Sequence, residues 1–320
     1  MTEPGAQARR AAAVTAIEQC LAVGRRETVV IVTDEPSRDV GLALYRAAAD
    51  RSDEAVFVEI PPGEEHGAEP PAPAAAALRE ADAFLAPTSK SISHTRARRA
   101  ACSAGARGAT LPGITEDVFV TGLAADYDAI AATCDRTYEA VRDAETIRLT
   151  SPAGTDITFS IGDRQWLRDT GIVHEPGDFS NLPAGEVFVS PESADGVYVV
   201  DGTMHPHGLL DHDQSVTVTV EDGYATDIDD PDVAAQFARA AESVGRDAYN
   251  LAEFGIGTNL AVTSLVGSVL LDEKAAGTVH VALGDDASIG GTVDAPIHSD
   301  GVILEPTVHV DGEPLALPGQ

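Results

Sequence analysis

Apolar and polar positions run along this chain in two rhythms. Up to about residue 145, short continuous apolar runs rich in β-branched residues separate stretches with helical spacing. Residues 28–33 read TVVIVT, 55–60 read AVFVEI, and 83–86 and 109–111 are shorter runs of the same kind. Unbroken runs of this length predict strands buried on both faces, as in a parallel sheet. Residues 40–49 and 96–103 carry helical periodicity, a helical stretch precedes Arg25, and 61–73 is a Pro-, Gly- and Glu-rich surface loop. The alternation predicts an α/β domain built on an open, mostly parallel sheet.

After residue 145 the strands become short and lie close to turns, at 146–149, 156–161, 187–190, 196–200, 216–221, 224–228, 251–254, 278–283 and 304–310. Glu221-Asp222-Gly223 reads as a hairpin turn. Residues 231–244 read as a helix, with Asp230 as N-cap, Pro231 at the first helical position and Gly245 as the stop. This half is expected to be an α+β domain of mostly antiparallel strands, which gives a domain 1–145 and a domain 146–320.

Charge changes the picture next. There are 52 acidic against 21 basic residues, a net charge of −31, and only Lys90 and Lys274 among the basic residues are lysines. Such a surface repels nucleic acid and anionic lipid, so neither is expected as a partner. It suits concentrated salt, where the Debye length falls to about 3 Å near 1 M and self-repulsion is screened. No run approaches the roughly 20 apolar residues of a membrane span, and the first twenty residues read as an amphipathic helix, not a signal peptide. A cytoplasmic protein is expected. Cys20, Cys102 and Cys134 are too scattered for a disulfide framework or zinc ribbon. No GxGxxG or Walker pattern follows a strand, so a nucleotide site has no support.

Chemistry-bearing residues crowd the C-terminal half. His298 and Asp300 stand two apart, on one side of an extended chain. His280 lies in the apolar run TVHVAL, Glu253 precedes Gly255 and Gly257, and Glu186 opens the run EVFVS. Each alone reads as a core or solvated residue. Together, two histidines and three carboxylates from four segments make a normal set for one or two divalent metals. Glu186 and Glu253 are the candidates for moving a proton. His205, His207 and His212 form a second cluster, expected to be surface residues. Ser91, Ser93, His94 and Thr95 suit a helix cap or contact with a partner's site, and no acid completes a serine triad. Lys274 is expected to pair with Asp272 or Glu273.

The stretches NLPAGEVFVSP, LAEFGIGTN, LDEKAAGTVHVALG and IHSDGVILEPTVHVDG, with looser matches nearer the N-terminus, resemble the aminopeptidase T family of metallopeptidases, the PepS type. The resemblance implies metal ligands at Glu186, Glu253, His280, His298 and Asp300. It also implies a dinuclear zinc, cobalt or manganese centre, release of N-terminal residues from peptide substrates, and homodimers. The family's tyrosine ligand has no counterpart after HVALG, where Asp285 or Asp286 could replace it, and His280 and His298 are only 18 residues apart. Ring-cleaving dioxygenases of dihydroxypyridine type resemble the same domain. There His280, His298 and Asp300 would supply a two-histidine, one-carboxylate set for non-haem iron(II). A metal-binding homologue without catalysis is the third reading. Retention of both Glu186 and Glu253 favours the hydrolase.

Overall fold

The computed structural model of the chain describes residues 3–320. Contacts divide it into two units. The first holds the described residues up to Ala131 together with Asp169–Ala184; the second holds Ala132–Arg168 and Gly185–Gln320. Each unit draws on two stretches of chain, which a single cut near residue 145 does not describe.

The first unit is an α/β layer structure. Its five-stranded sheet runs Glu54–Ile60, Thr28–Asp34, Ala83–Thr88, Arg107–Pro112, Phe179–Asn181, and every registered pair is parallel. The strand Ala83–Thr88 is wholly buried, while Glu54–Ile60 at the edge is half exposed. Val30, Val32, Phe84 and Ala86 pack against Leu78 and Ala101 from the flanking helices. Helices Arg38–Arg51 and Arg96–Ser103 fall where periodicity predicts them. Thr95 caps the second, its Oγ1 accepting from the Arg98 amide at 3.2 Å. The edge strand Phe179–Asn181 is three residues long, too short to leave a periodic signal.

The second unit holds two seven-stranded sheets whose registered pairs are antiparallel. They touch through Phe159 and Phe254, ring centroids 5.0 Å apart, and through Val200, whose methyl group would stand 2.3 Å from a Cβ on Gly301. The hairpin Val216–Glu221 to Tyr224–Ile228 turns through Asp222 and Gly223, both at positive φ, the conformation that favours an Asp-Gly pair. Helix Pro231–Val244 is capped by Asp230, whose carboxylate accepts from the amides of Asp232 and Val233. One expected strand is displaced. Residues 304–310 are not a single strand: a turn with Glu305 at φ 47° separates His298–Ile303 from Thr307–Val310. Among the described residues, no helix is long and apolar enough to cross a membrane.

Candidate metal centre

Four neighbouring strands of one antiparallel sheet present the site: Glu186–Val189, Leu251–Gly257, Val279–Gly284 and His298–Ile303. Strand residues two apart face the same side. Register then sets the rows. Glu186 lies opposite Gly257, His280 between Gly255 and Val302, Ala282 between Glu253 and Asp300, and Gly284 opposite His298. Small residues thus alternate with ligand-type residues and leave space above the sheet for the larger side chains. Gly255 shows the need, because a Cβ there would stand 2.0 Å from His280 Nε2.

His280 Nε2 is 3.1 Å from Glu253 Oε1 and 3.4 Å from Glu186 Oε2. His298 Nε2 is 3.5 Å from Glu253 Oε2 and 3.4 Å from Asp300 Oδ1. Glu253 therefore meets both imidazoles. It also joins two donor groups, Glu186–Glu253–His280 and Glu253–His298–Asp300, each with ligand atoms within 4.8 Å of one another. His298 Nδ1 lies 2.7 Å from the Asp285 carbonyl oxygen. A carbonyl only accepts, so Nδ1 carries a proton and Nε2 is the nitrogen turned towards the carboxylates, the one that could bind a metal in place of its own proton. The His280 side chain is sealed at 1% exposure, whereas that of His298 is 33% exposed and marks the side open to solvent.

Lys274 closes the other end. Its ammonium lies 2.6 Å from Glu186 Oε1 and also binds Glu273. Glu273 is the partner expected for it. Glu186 is not, and the one signal for it is that Lys274 is one of only two lysines in the chain. Asp272, the other expected partner, is buried elsewhere, accepting from Thr203 Oγ1 and from the amides of Val266 and Gly267.

Without a metal the cluster balances itself with protons. Burial pushes the Glu186 carboxyl up to about 8, although Lys274 pulls it down. Burial would also raise Glu253, but hydrogen bonds from His280 and His298 outweigh it and hold that carboxyl below its usual range. Burial disfavours a charged His280, yet Glu253 and Glu186 lift it to about 9. His298 is likewise raised against burial by Asp300 and Glu253. Four carboxylates, Glu186, Glu253, Glu273 and Asp300, thus face one ammonium and two imidazoles. Two imidazolium protons supply the same charge as one divalent ion bound to neutral imidazoles. Glu186 Oε2 and His280 Nδ1 are buried with no hydrogen-bond partner, and the first of these faces the cluster. A buried, unpartnered carboxylate oxygen asks for a cation, and the mixed nitrogen and oxygen set suits a divalent transition metal.

The remaining candidates lie outside the cluster. Asp286 does not stand in for the tyrosine ligand: its carboxylate accepts from Ser190 Oγ, Asn250 Nδ2 and the Val293 amide. The Asp285 carboxylate accepts from the Ala295 amide. His205 bonds Gln236, and His207 bonds Asp230 at the start of helix Pro231–Val244, where the helix dipole disfavours a cation. His212 is exposed. Ser93 bonds Thr110 and Asn181 in the first unit.

A family model described as NicX, 2,5-dihydroxypyridine 5,6-dioxygenase, matches residues 10–320, and the chain belongs to this family. It is similar in structure to the 2,5-dihydroxypyridine dioxygenase of Pseudomonas putida KT2440, with 18% identity, a TM-score of 0.81, and coverage of 99% of this chain and 97% of that one. It is also similar to AmpT of Thermus thermophilus, with 20% identity, a TM-score of 0.70, and coverage of 97% and 98%. At these identities the likeness shows the fold alone. No curated protein matches the sequence. The family match overturns the aminopeptidase assignment and, with it, the metallopeptidase activity expected from the motifs. The reason is physical. The four motifs are the strands and turns that build the sheet carrying the candidate metal ligands, and a fold shared with both structures does not distinguish their reactions.

Proposed function

We propose that this chain is an iron(II)-dependent dioxygenase that opens the ring of a dihydroxylated pyridine, with His280, His298 and Asp300 holding the metal. The observation that carries this reading is the meeting, on one sheet face, of a two-apart histidine–aspartate pair with a histidine of the next strand, in a chain matching the family over residues 10–320. Two imidazoles and one carboxylate leave positions open for other ligands, as in non-haem iron oxygenases. Iron(II), when bound, supplies the redox centre that lets a closed-shell aromatic ring react with dioxygen.

The chain's own residues set the stage for that reaction. The Asp285 carbonyl holds His298 Nδ1–H and so keeps Nε2 facing the cluster. Glu253, between both imidazoles, keeps the two rings oriented towards a common point. Lys274 turns one oxygen of Glu186 away from the imidazoles and leaves Oε2 towards His280. The exposed side of His298 is the approach for a small planar substrate.

The test is direct. Protein kept in molar KCl is loaded with iron(II) without oxygen and then given 2,5-dihydroxypyridine and dioxygen. Oxygen uptake should match substrate loss, and the product should carry two added oxygen atoms with the ring opened. Chelation or His280→Ala should abolish uptake. An iron-loaded protein that consumes no oxygen with any dihydroxylated pyridine would reject the assignment.

A further inference from the structure

We infer that Asp286 is a positioning residue whose buried clamp with Asn250 and Ser190 holds the Asp285 carbonyl in place and thereby aims His298 Nε2 into the metal cluster. This rests on the metal-centre part of the function proposed above.

Residues 285–297 leave the strand of His280 and return to the strand of His298, so both chain ends of this segment carry ligand candidates. The segment has little regular structure, one short helical turn at Ala287–Ile289. A free loop of that kind would place neither end reliably. Asp286 replaces regular structure here. Its residue exposure is 2%, against 1% for Ser190 and 9% for Asn250. Oδ2 accepts from Ser190 Oγ at 2.9 Å and from Asn250 Nδ2 at 3.0 Å, and Oδ1 accepts from the Val293 amide at 2.7 Å. The Asp286 and Ala287 amides donate to the Val293 carbonyl, and the Gly291 amide donates to the Asp286 carbonyl. Gly291 is required, since a Cβ there would stand 1.9 Å from the Asp286 carboxyl carbon.

Asn250 extends the clamp to the sheet. Its Nδ2 also donates to the Gly284 carbonyl, and its own carbonyl accepts from the Gly284 amide. Asp285 sits between these two anchored residues, and its amide donates to the Ile297 carbonyl. Its carbonyl oxygen is therefore held from both sides. That oxygen is the partner of His298 Nδ1.

Zinc serves as the probe, because its affinity and imidazole NMR spectrum are independent of turnover. Asp286→Asn keeps an acceptor for the Val293 amide but sets an amide against the Asn250 amide. It should weaken zinc binding about tenfold, as outer-shell changes do, and make the His298 Nδ1–H of the zinc-loaded protein exchange faster with water. Ser190→Ala, which removes one donor and folds more safely, should act in the same direction with a smaller effect. The deciding measurement repeats Asp286→Asn in a His298→Ala background. If Asp286 works through His298, the second change then costs less than twofold. Equal losses in both backgrounds would show a general effect on the loop and overturn the inference, as would unchanged affinity and unchanged Nδ1–H exchange in both single variants. Either result leaves the oxygen-uptake test of the dioxygenase standing on its own.

Discussion

A single methyl group at position 255 should empty the metal centre while leaving the sheet intact. Gly255 lies in a wholly buried strand, directly opposite His280, and its backbone does not take the positive φ that only glycine favours. Alanine is therefore conformationally acceptable. A Cβ, however, would stand 2.0 Å from His280 Nε2 and 2.2 Å from Cε1, where ordinary contact begins at 3.4 Å. The ring must retreat about 1.4 Å, far beyond the ~0.2 Å tolerance of a metal–ligand distance. It cannot retreat freely, because Glu186 and Glu253 flank it and its side chain is 1% exposed. The overpacking cost to the fold is about 1–3 kcal/mol, small enough for a folded product. Zinc or iron(II) affinity of Gly255→Ala should fall by more than the ~100-fold reached by outer-shell changes. The assays are metal content after equilibrium dialysis and chemical denaturation of the metal-free protein. Full metal content at unchanged affinity in a folded variant would refute the placement of His280 as a ligand. Gly24→Ala is the control, since its backbone is not at positive φ and a Cβ there meets only ordinary contacts, at 3.5 Å or more.

Metal affinity should rise with pH. His280, lifted to about 9, and His298, raised likewise, hold protons at neutral pH in the metal-free protein, and a metal bound to both imidazoles must displace them. With two protons released per ion, affinity should climb by about a hundredfold per pH unit below these values and level off above them; a flat chelator-competition profile from pH 6 to 9 would contradict this. Lys274→Met strands Glu186 and Glu273, whose side chains are 8% and 12% exposed. The metal-free protein should lose about 3–5 kcal/mol in urea unfolding, and a loss below about 1 kcal/mol would show that these carboxyls do not depend on the lysine. With a net charge of −31, the thermal midpoint should rise from low to multimolar KCl as repulsion is screened, and a falling midpoint would reject the salt-adapted reading.

Much of this molecule was decided locally and is legible in the amino-acid order. The buried strands of the first unit announce themselves as unbroken apolar runs, and helix Pro231–Val244 begins and ends at the residues its cap chemistry names. Glu186, Glu253, His280, His298 and Asp300 could be picked out because each carries ligand chemistry beside a strand pattern. Their mutual positions follow from pairing register between strands far apart in the chain, such as Gly257 opposite Glu186 and Ala282 between Glu253 and Asp300, and no local pattern encodes that register. Tertiary structure alone made Glu253 the residue shared by both imidazoles, turned Lys274 onto Glu186, and withdrew Asp286 from the ligand set into a clamp. The same limit explains the displaced functional reading. The motifs are local and build strands of a fold that both structures share, whereas the choice of reaction lies in how the loops and charged partners around the sheet are arranged in space.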